Sequence, residues 1–100
     1  MKTSIQEVEG KLIATLEGEL DTAAAVQAEQ ELQPLLESDG KDIVIDCEKL
    51  DYIASSGLRI LLAILKKAKA SGAGVTLTKV NDDIKNVFKM TGFINLFNFE

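Results

Sequence analysis

The sequence predicts an α/β fold in which a mixed β-sheet of four to five strands is packed by three to four helices. Short apolar runs rich in β-branched residues alternate with segments of helical periodicity, a pattern typical of parallel strands joined by right-handed crossovers. Two strand-like segments flank Glu9-Gly10 near the start, which predicts a hairpin and therefore an antiparallel pair. With 100 residues, 46% of them hydrophobic, the chain is expected to form one domain over residues 1–100 with a packed core.

The first part of the chain is predicted to form the hairpin and one helix. Strands are expected around Ser4 to Val8 and from Lys11 to Glu17, where apolar and polar side chains alternate. Gly18-Glu19-Leu20-Asp21 then leads into a helix that Asp21 or Thr22 can cap. This helix carries a buried stripe at spacings of three and four residues, made of Ala25, Ala28, Leu32, Leu35 and Leu36.

The middle of the chain is predicted to supply the central strand and a long helix. Pro34 is expected to bend or shorten the first helix, because proline lacks a backbone donor. Ile43-Val44-Ile45 is a continuous β-branched run, typical of a central strand covered on both faces. We expect an acidic loop after it, followed by a helix that begins at Ser55 and Ser56. The core face of that helix is predicted to contain Leu58, Ile60, Leu61, Leu62, Ile64 and Leu65.

The last part of the chain predicts one more strand, one more helix and an aromatic tail. Val75 to Thr78 follows two glycines and is expected to be a strand. A final helix is expected to start at Asp82 or Asp83 and to end at Gly92, in a left-handed conformation. The tail from Phe93 to Phe99 holds three of the four phenylalanines and is expected to pack back on the sheet.

The composition argues against catalysis and against bound metal or cofactor. Histidine is absent, which removes Ser–His and Cys–His nucleophile pairs and the usual zinc sites. The glycines do not take the spacing of a phosphate-binding loop. The single cysteine, Cys47, excludes an internal disulfide and is predicted to be a small buried residue. We therefore expect no enzyme activity, no metal and no cofactor.

The charge and hydropathy of the chain restrict its partners. A net charge of −5 argues against nucleic acid as a partner. The basic cluster Lys66, Lys67 and Lys69 is interpreted as a solvated helix end. The longest apolar runs are far shorter than the roughly 20 residues that cross a bilayer, so no membrane insertion is expected. We expect a cytoplasmic protein that binds other proteins and is a monomer or weak dimer.

Ser55 and Ser56 are the strongest candidate site because they stand where a helix begins. Backbone N–H groups there have no intrahelical partner and lie at the positive end of the helix dipole. A phosphate on either serine would therefore be tolerated by the fold. The alternative is that the serines only cap the helix. Similarly, Asp21 either caps or contacts a partner, and Asp46 either ends a strand or contacts a partner.

Three segments together carry a resemblance to a known family. Asp46-x8-Ser55-Ser56-Gly57-Leu58 is preceded by Gly18-Glu19-Leu20-Asp21 and followed by Val87-Phe88-Lys89-Met90-Thr91-Gly92-Phe93. Their order and separation resemble the STAS domain of bacterial anti-sigma factor antagonists, over essentially the whole chain. The resemblance implies a STAS-like mixed sheet packed by several helices. It also implies partner switching, in which the unmodified protein binds an anti-sigma factor serine kinase and so releases a sigma factor.

The resemblance also assigns roles to residues. It implies that the kinase phosphorylates Ser55, beside Ser56, and that a PP2C-type phosphatase restores the serine. The residues expected to contact the partner are Asp21, Asp46, Ala54, Ser56, Gly57 and Arg59. The chain departs from the family pattern at Ala54, where an acidic residue is common, and at Arg59, where a small residue is frequent.

Two other functions are open at this point. One is a lone STAS subunit that serves a transporter ATPase or a larger signalling assembly without a phospho-switch. The other is a small enzyme or nucleotide binder, for which the sequence offers no nucleophile–base pair.

Overall fold

The computed structural model describes residues 1–100 and contains a five-stranded mixed sheet with four helices. The strands are arranged in chain order across the sheet, with β1 antiparallel to β2 and the other neighbouring pairs parallel. The elements are β1 (Lys2–Val8), β2 (Lys11–Leu20), α1 (Thr22–Glu31), α2 (Gln33–Leu36), β3 (Ile43–Ile53), α3 (Ser55–Ala70), β4 (Val75–Thr78), α4 (Asp82–Thr91) and β5 (Asn98–Phe99). The predicted fold class is confirmed.

The opening hairpin forms at the predicted turn. Glu9 and Gly10 both have positive φ, 52° and 80°, as a two-residue turn of type I′ requires. Val8 and Lys11 face each other directly across the turn, and the register continues without interruption to Lys2 and Glu17. The turn therefore fixes the pairing of the whole first strand.

The helices cover only one face of the sheet. Along β3, the buried Ile43, Ile45 and Cys47 alternate with the half-buried Val44 and Asp46. The prediction that this strand is covered on both faces is therefore wrong. The open face carries polar side chains on neighbouring strands, and burying them would require hydrogen-bond partners that the fold does not supply.

β2 and β3 both extend beyond the ends that the sequence predicted. β2 continues through Gly18 to Leu20, and β3 runs on through the segment expected to be an acidic loop, as far as Ile53. The extensions pair with each other, because Leu20 faces Ile53 and Gly18 faces Leu50, with register shifts between them. Leu50 and Ile53 are buried, so core packing holds an acidic segment in strand conformation.

The helices follow the predicted boundaries. α1 ends at Glu31, and Pro34 lies in the first turn of the separate short helix α2. The prediction that Pro34 shortens the first helix is confirmed. Gly92 ends α4 with φ 81°, and its left-handed conformation confirms the predicted cap. None of the four helices combines the length and the apolar composition that spanning a bilayer requires.

The aromatic tail packs on the sheet and adds its last strand. β5 pairs in parallel with β4. The rings of Phe97 and Phe99 contact Phe88 of α4 edge to face, with centroid distances of 5.5 and 5.3 Å. These rings join the one hydrophobic core that the sheet shares with the helices.

Candidate functional site

The starts of α1 and α3 lie side by side because they follow neighbouring parallel strands. β2 ends at Leu20 and β3 at Ile53, and these two residues are register partners. The backbone N–H of Ala54 donates to the Leu20 carbonyl at 2.8 Å, which ties the start of α3 to the end of β2. Asp21 and Ser55 thus lie at one end of the sheet, where open α/β sheets carry their sites.

Asp21 caps α1. Its Oδ1 accepts a hydrogen bond from the backbone N–H of Ala24 at 2.8 Å, and its side chain is half-buried. The predicted capping role is confirmed, and contact with a partner stays a prediction.

Ser55 and Ser56 do not cap α3, so the alternative in which they only cap the helix is wrong. The N-cap residue is Ala54, which has no side-chain hydrogen-bonding group, and the first turn contains no acidic residue. By contrast, α1 is capped by Asp21 and α4 by Asn81. The first N–H groups of α3 therefore receive neither a side-chain acceptor nor a carboxylate.

The two serines have opposite environments. Ser55 is exposed, and its hydroxyl is accessible to another protein. The Oγ of Ser56 is buried and has no hydrogen-bond partner. Of the two serines, only Ser55 is exposed at the surface.

Gly57 allows α3 to start directly on the ends of the strands. A Cβ atom at this position would lie 2.7 Å from Leu20 Cγ and 3.0 Å from Ile53 Cγ1, closer than van der Waals contact allows. Its φ is not in the left-handed region, so the requirement for glycine is steric. Gly57 thereby positions Ser55.

Arg59 lies one helical turn after Ser55 and has no carboxylate within ion-pairing distance. It is exposed and lines a cavity of about 330 Å³ between α3 and the pair α1–α2. α3 contains four basic residues and no acidic one, in a chain whose net charge is −5. The remaining residues that line this cavity are Glu29, Leu32, Gln33, Leu36, Ser56, Ile60, Ala63 and Ile64.

The structure does not bring Asp46 to Ser55. Asp46 lies within β3 rather than at its end, seven residues before Ile53, which corresponds to about 20 Å along a strand. Its Oδ1 accepts from the backbone N–H of Glu48 at 3.0 Å. The alternative in which Asp46 only ends a strand is wrong, because β3 continues where a loop was predicted. A partner contact by Asp46 stays a prediction.

The cavity beside Ser56 was not predicted from the sequence. Glu29 of α1 and Gln33 of α2 contribute polar side chains to its wall, and Ser56 and Arg59 contribute those of α3. Glu29, Leu32, Gln33 and Leu36 are spaced three and four residues apart, as on one face of a helix. This spacing is the only feature of the sequence that could have predicted that they line one cavity.

Cys47 is a core residue, as predicted. Burial, with a smaller effect of the neighbouring Asp46 carboxylate, raises the pKa of the Cys47 thiol to about 12. Its thiol therefore stays protonated at neutral pH and is not a nucleophile. No group of three or more His, Cys, Asp or Glu residues is placed to hold a metal ion.

Fold and sequence together define the class of protein. The family model described as STAS domain matches residues 2–100, and the chain therefore belongs to the STAS domain family. Among its relatives is BtrV of Bordetella bronchiseptica, a candidate anti-sigma factor antagonist, which is 33% identical over 97% of this chain and 84% of that protein. The anti-sigma-B factor antagonist of Staphylococcus aureus is 29% identical over 79% of this chain and 73% of its own length.

Solved structures share the fold. The anti-sigma factor antagonist SpoIIAA in its unphosphorylated form superposes with a TM-score of 0.81 at 20% identity, covering 99% of this chain and 88% of that chain. Its phosphorylated form, from Bacillus, gives a TM-score of 0.74 at 19% identity, covering 99% and 91%. The predicted STAS-like architecture is confirmed.

Proposed function

We propose that this protein is an anti-sigma factor antagonist controlled by phosphorylation of Ser55. The unmodified form binds an anti-sigma factor that is also a serine kinase, and this binding releases a sigma factor. The kinase transfers phosphate to Ser55 and binding is lost, and a PP2C-type phosphatase removes the phosphate. The protein itself carries out no catalysis.

The observation that carries the proposal is the environment of Ser55. Its hydroxyl is exposed on the first residue of a helix with no side-chain cap and no acidic residue in its first turn. The names of the relatives, anti-sigma factor antagonists, support the choice of partner. We propose that Asp21, Ala54, Ser56, Gly57 and Arg59 surround the contact surface.

The energetics favour a switch that changes binding more than folding. An anion at a helix N-terminus gains about 0.3–1 kcal/mol, so the phosphorylated protein stays folded. A charge buried unpaired in an interface costs at least 2 kcal/mol or so, and about 1.4 kcal/mol is a tenfold loss of affinity. One phosphate therefore leaves the stability of the fold unchanged or raises it, and it still breaks the complex.

The proposal is tested by mapping phosphorylation. The purified protein is incubated with the anti-sigma factor kinase of its own organism and ATP, and the modified residue is identified by mass spectrometry. Wild type and Ser56→Ala should each gain one phosphate, whereas Ser55→Ala should gain none. Phosphate on another residue, or an unmodified wild-type protein in the presence of active kinase, contradicts the proposal.

A second candidate function is favoured by Ala54. Without the acidic residue common in the family at this position, the chain could serve as a STAS subunit of a transporter ATPase or of a larger signalling assembly, with no phospho-switch. Affinity capture from native cells separates the two functions. Recovery of a membrane-transport ATPase supports the second, and recovery of a small serine kinase supports the first.

A further inference from the structure

β1 is an edge strand with one free side. Its only neighbour in the sheet is β2, and its seven residues pair without a register shift. No helix packs along it, and α1 reaches it through a hydrogen bond of 2.7 Å between Thr3 Oγ1 and Glu31 Oε1. The opposite edge, β5, has only two residues. A regular edge strand without proline or bulge is a template for pairing with another chain.

The hairpin turn determines which backbone groups of β1 are free. In a two-residue hairpin the residues flanking the turn, Val8 and Lys11, exchange both backbone hydrogen bonds. Along an antiparallel strand the direction of these bonds alternates with each residue. The residues that bond to β2 are therefore Lys2, Ser4, Gln6 and Val8, and those that point away from the sheet are Thr3, Ile5 and Glu7.

We propose that two copies of this chain pair through β1, antiparallel, about a two-fold axis at Ile5. In this register Ile5 faces the Ile5 of the second copy, and Thr3 faces its Glu7. All the outward-pointing backbone groups of the three residues are then paired, in about six hydrogen bonds. Shifting the axis by one residue leaves some of them unpaired, so the register at Ile5 is the most favourable.

The side chains of β1 are compatible with this pairing. Ile5 is half-buried against the core of its own chain, and the second Ile5 covers it further. On the opposite face Val8, which is 42% exposed, meets the aliphatic stem of Lys2. Glu7, the one carboxylate of the strand, already forms an ion pair of 3.0 Å with Lys41 of its own chain. Among the residues of β1 itself, no like charges face each other across the proposed interface.

The dimer leaves the proposed switch accessible. Ser55 follows β3, and β2 separates β3 from the free edge of β1. A dimer through β1 therefore presents two separate Ser55 sites, joined by one continuous sheet. This inference does not depend on phosphorylation of Ser55, since it rests on the edge strand alone.

The test removes one outward N–H group. Thr3→Pro deletes the free donor of residue 3 and leaves the bonds to β2 in place, whereas Thr3→Ala loses the same contact with Glu31 but keeps the donor. In sedimentation equilibrium the wild-type mass should rise above the 10.8 kDa of one chain between about 10 μM and about 1 mM, as a small interface predicts. Thr3→Pro should weaken the dimer at least tenfold, and Thr3→Ala should change it less than threefold.

Amide hydrogen exchange supplies a second readout on the unmodified chain. The N–H groups of Thr3, Ile5 and Glu7 should become protected as concentration rises, whereas those of Ser4 and Gln6 should be protected at all concentrations. A protein that stays monomeric to about 1 mM overturns the proposal. So does a dimer in which the amides of Thr3, Ile5 and Glu7 exchange freely. If Thr3→Pro does not fold, the hydrogen-exchange result on the wild-type protein alone decides whether the two copies pair through β1.

Discussion

Ser55 and Ser56 show how neighbouring identical residues acquire different chemistry. The backbone of α3 turns the hydroxyl of Ser55 to solvent and that of Ser56 into the protein, where its Oγ finds no partner. A buried hydroxyl without a hydrogen bond costs free energy. Ser56 is therefore an energetic cost to the fold beside the residue that we propose as the switch.

We predict that Ser56→Ala does not destabilise the protein. The substitution removes a buried polar atom that has no hydrogen-bond partner, so the free energy of unfolding should stay equal or rise by up to about 1 kcal/mol. Urea denaturation of wild type and variant measures the difference. A loss of more than about 1 kcal/mol would show that the hydroxyl is hydrogen-bonded in solution.

We predict the opposite result for Asp21→Ala. The carboxylate accepts from the Ala24 N–H and caps α1, so its removal should lower the free energy of unfolding by about 1 kcal/mol. Asp21→Ser keeps an acceptor at the cap and should recover most of the loss. Equal stabilities of the alanine and serine variants, measured by thermal unfolding, would contradict the capping role.

At the scale of elements, close contact between α3 and the strand ends determines where the site lies. Gly57 has no room for a Cβ atom beside Leu20 and Ile53. The start of the helix is thereby held directly over β2 and β3, with Ser55 at its first position.

We predict that Gly57→Ala destabilises the protein despite the higher helix propensity of alanine. The added methyl group would lie 2.7 Å from Leu20 Cγ, and such overpacking costs about 1–3 kcal/mol, more than the roughly 1 kcal/mol that alanine gains in a helix. Combining it with Leu20→Val should restore part of the stability. A Gly57→Ala variant as stable as wild type in urea would refute the close contact.

Elements with a local cause could be predicted from the sequence, and those with a tertiary cause could not. The hairpin turn at Glu9 and Gly10, the break at Pro34 and the cap at Gly92 follow from the residues themselves. The extension of β3 to Ile53 does not, because it depends on pairing with the end of β2. For this reason the position of Ser55 was predicted correctly and that of Asp46 was not.

At the scale of the whole molecule, one apolar core on one face of the sheet determines which side chains are buried. Cys47 points into that core and its thiol pKa is raised to about 12, whereas Ser55 lies outside it. The sequence predicted a buried cysteine, but it could not predict the open sheet face, since a run of β-branched residues fits either arrangement.

We predict that alkaline pH destabilises the protein through Cys47. The unfolded thiol ionises near its ordinary pKa of 9.0, and the folded thiol holds its proton until about 12. The folded state therefore binds more protons in this interval, and the free energy of unfolding falls as pH rises, by about 1 kcal/mol at pH 10. Cys47→Ala should show a smaller fall between pH 8 and 10 in parallel urea titrations. Equal slopes for the two proteins would contradict the raised pKa.

The central claim is that a phosphate on Ser55 changes binding without unfolding the protein. Its most direct measurement is a calorimetric titration of the anti-sigma factor kinase with two forms of the protein, one unmodified and one stoichiometrically phosphorylated on Ser55. We expect the phosphorylated form to bind at least about tenfold more weakly while its free energy of unfolding stays equal to or above that of the unmodified form. Equal affinities of the two folded forms would contradict the claim.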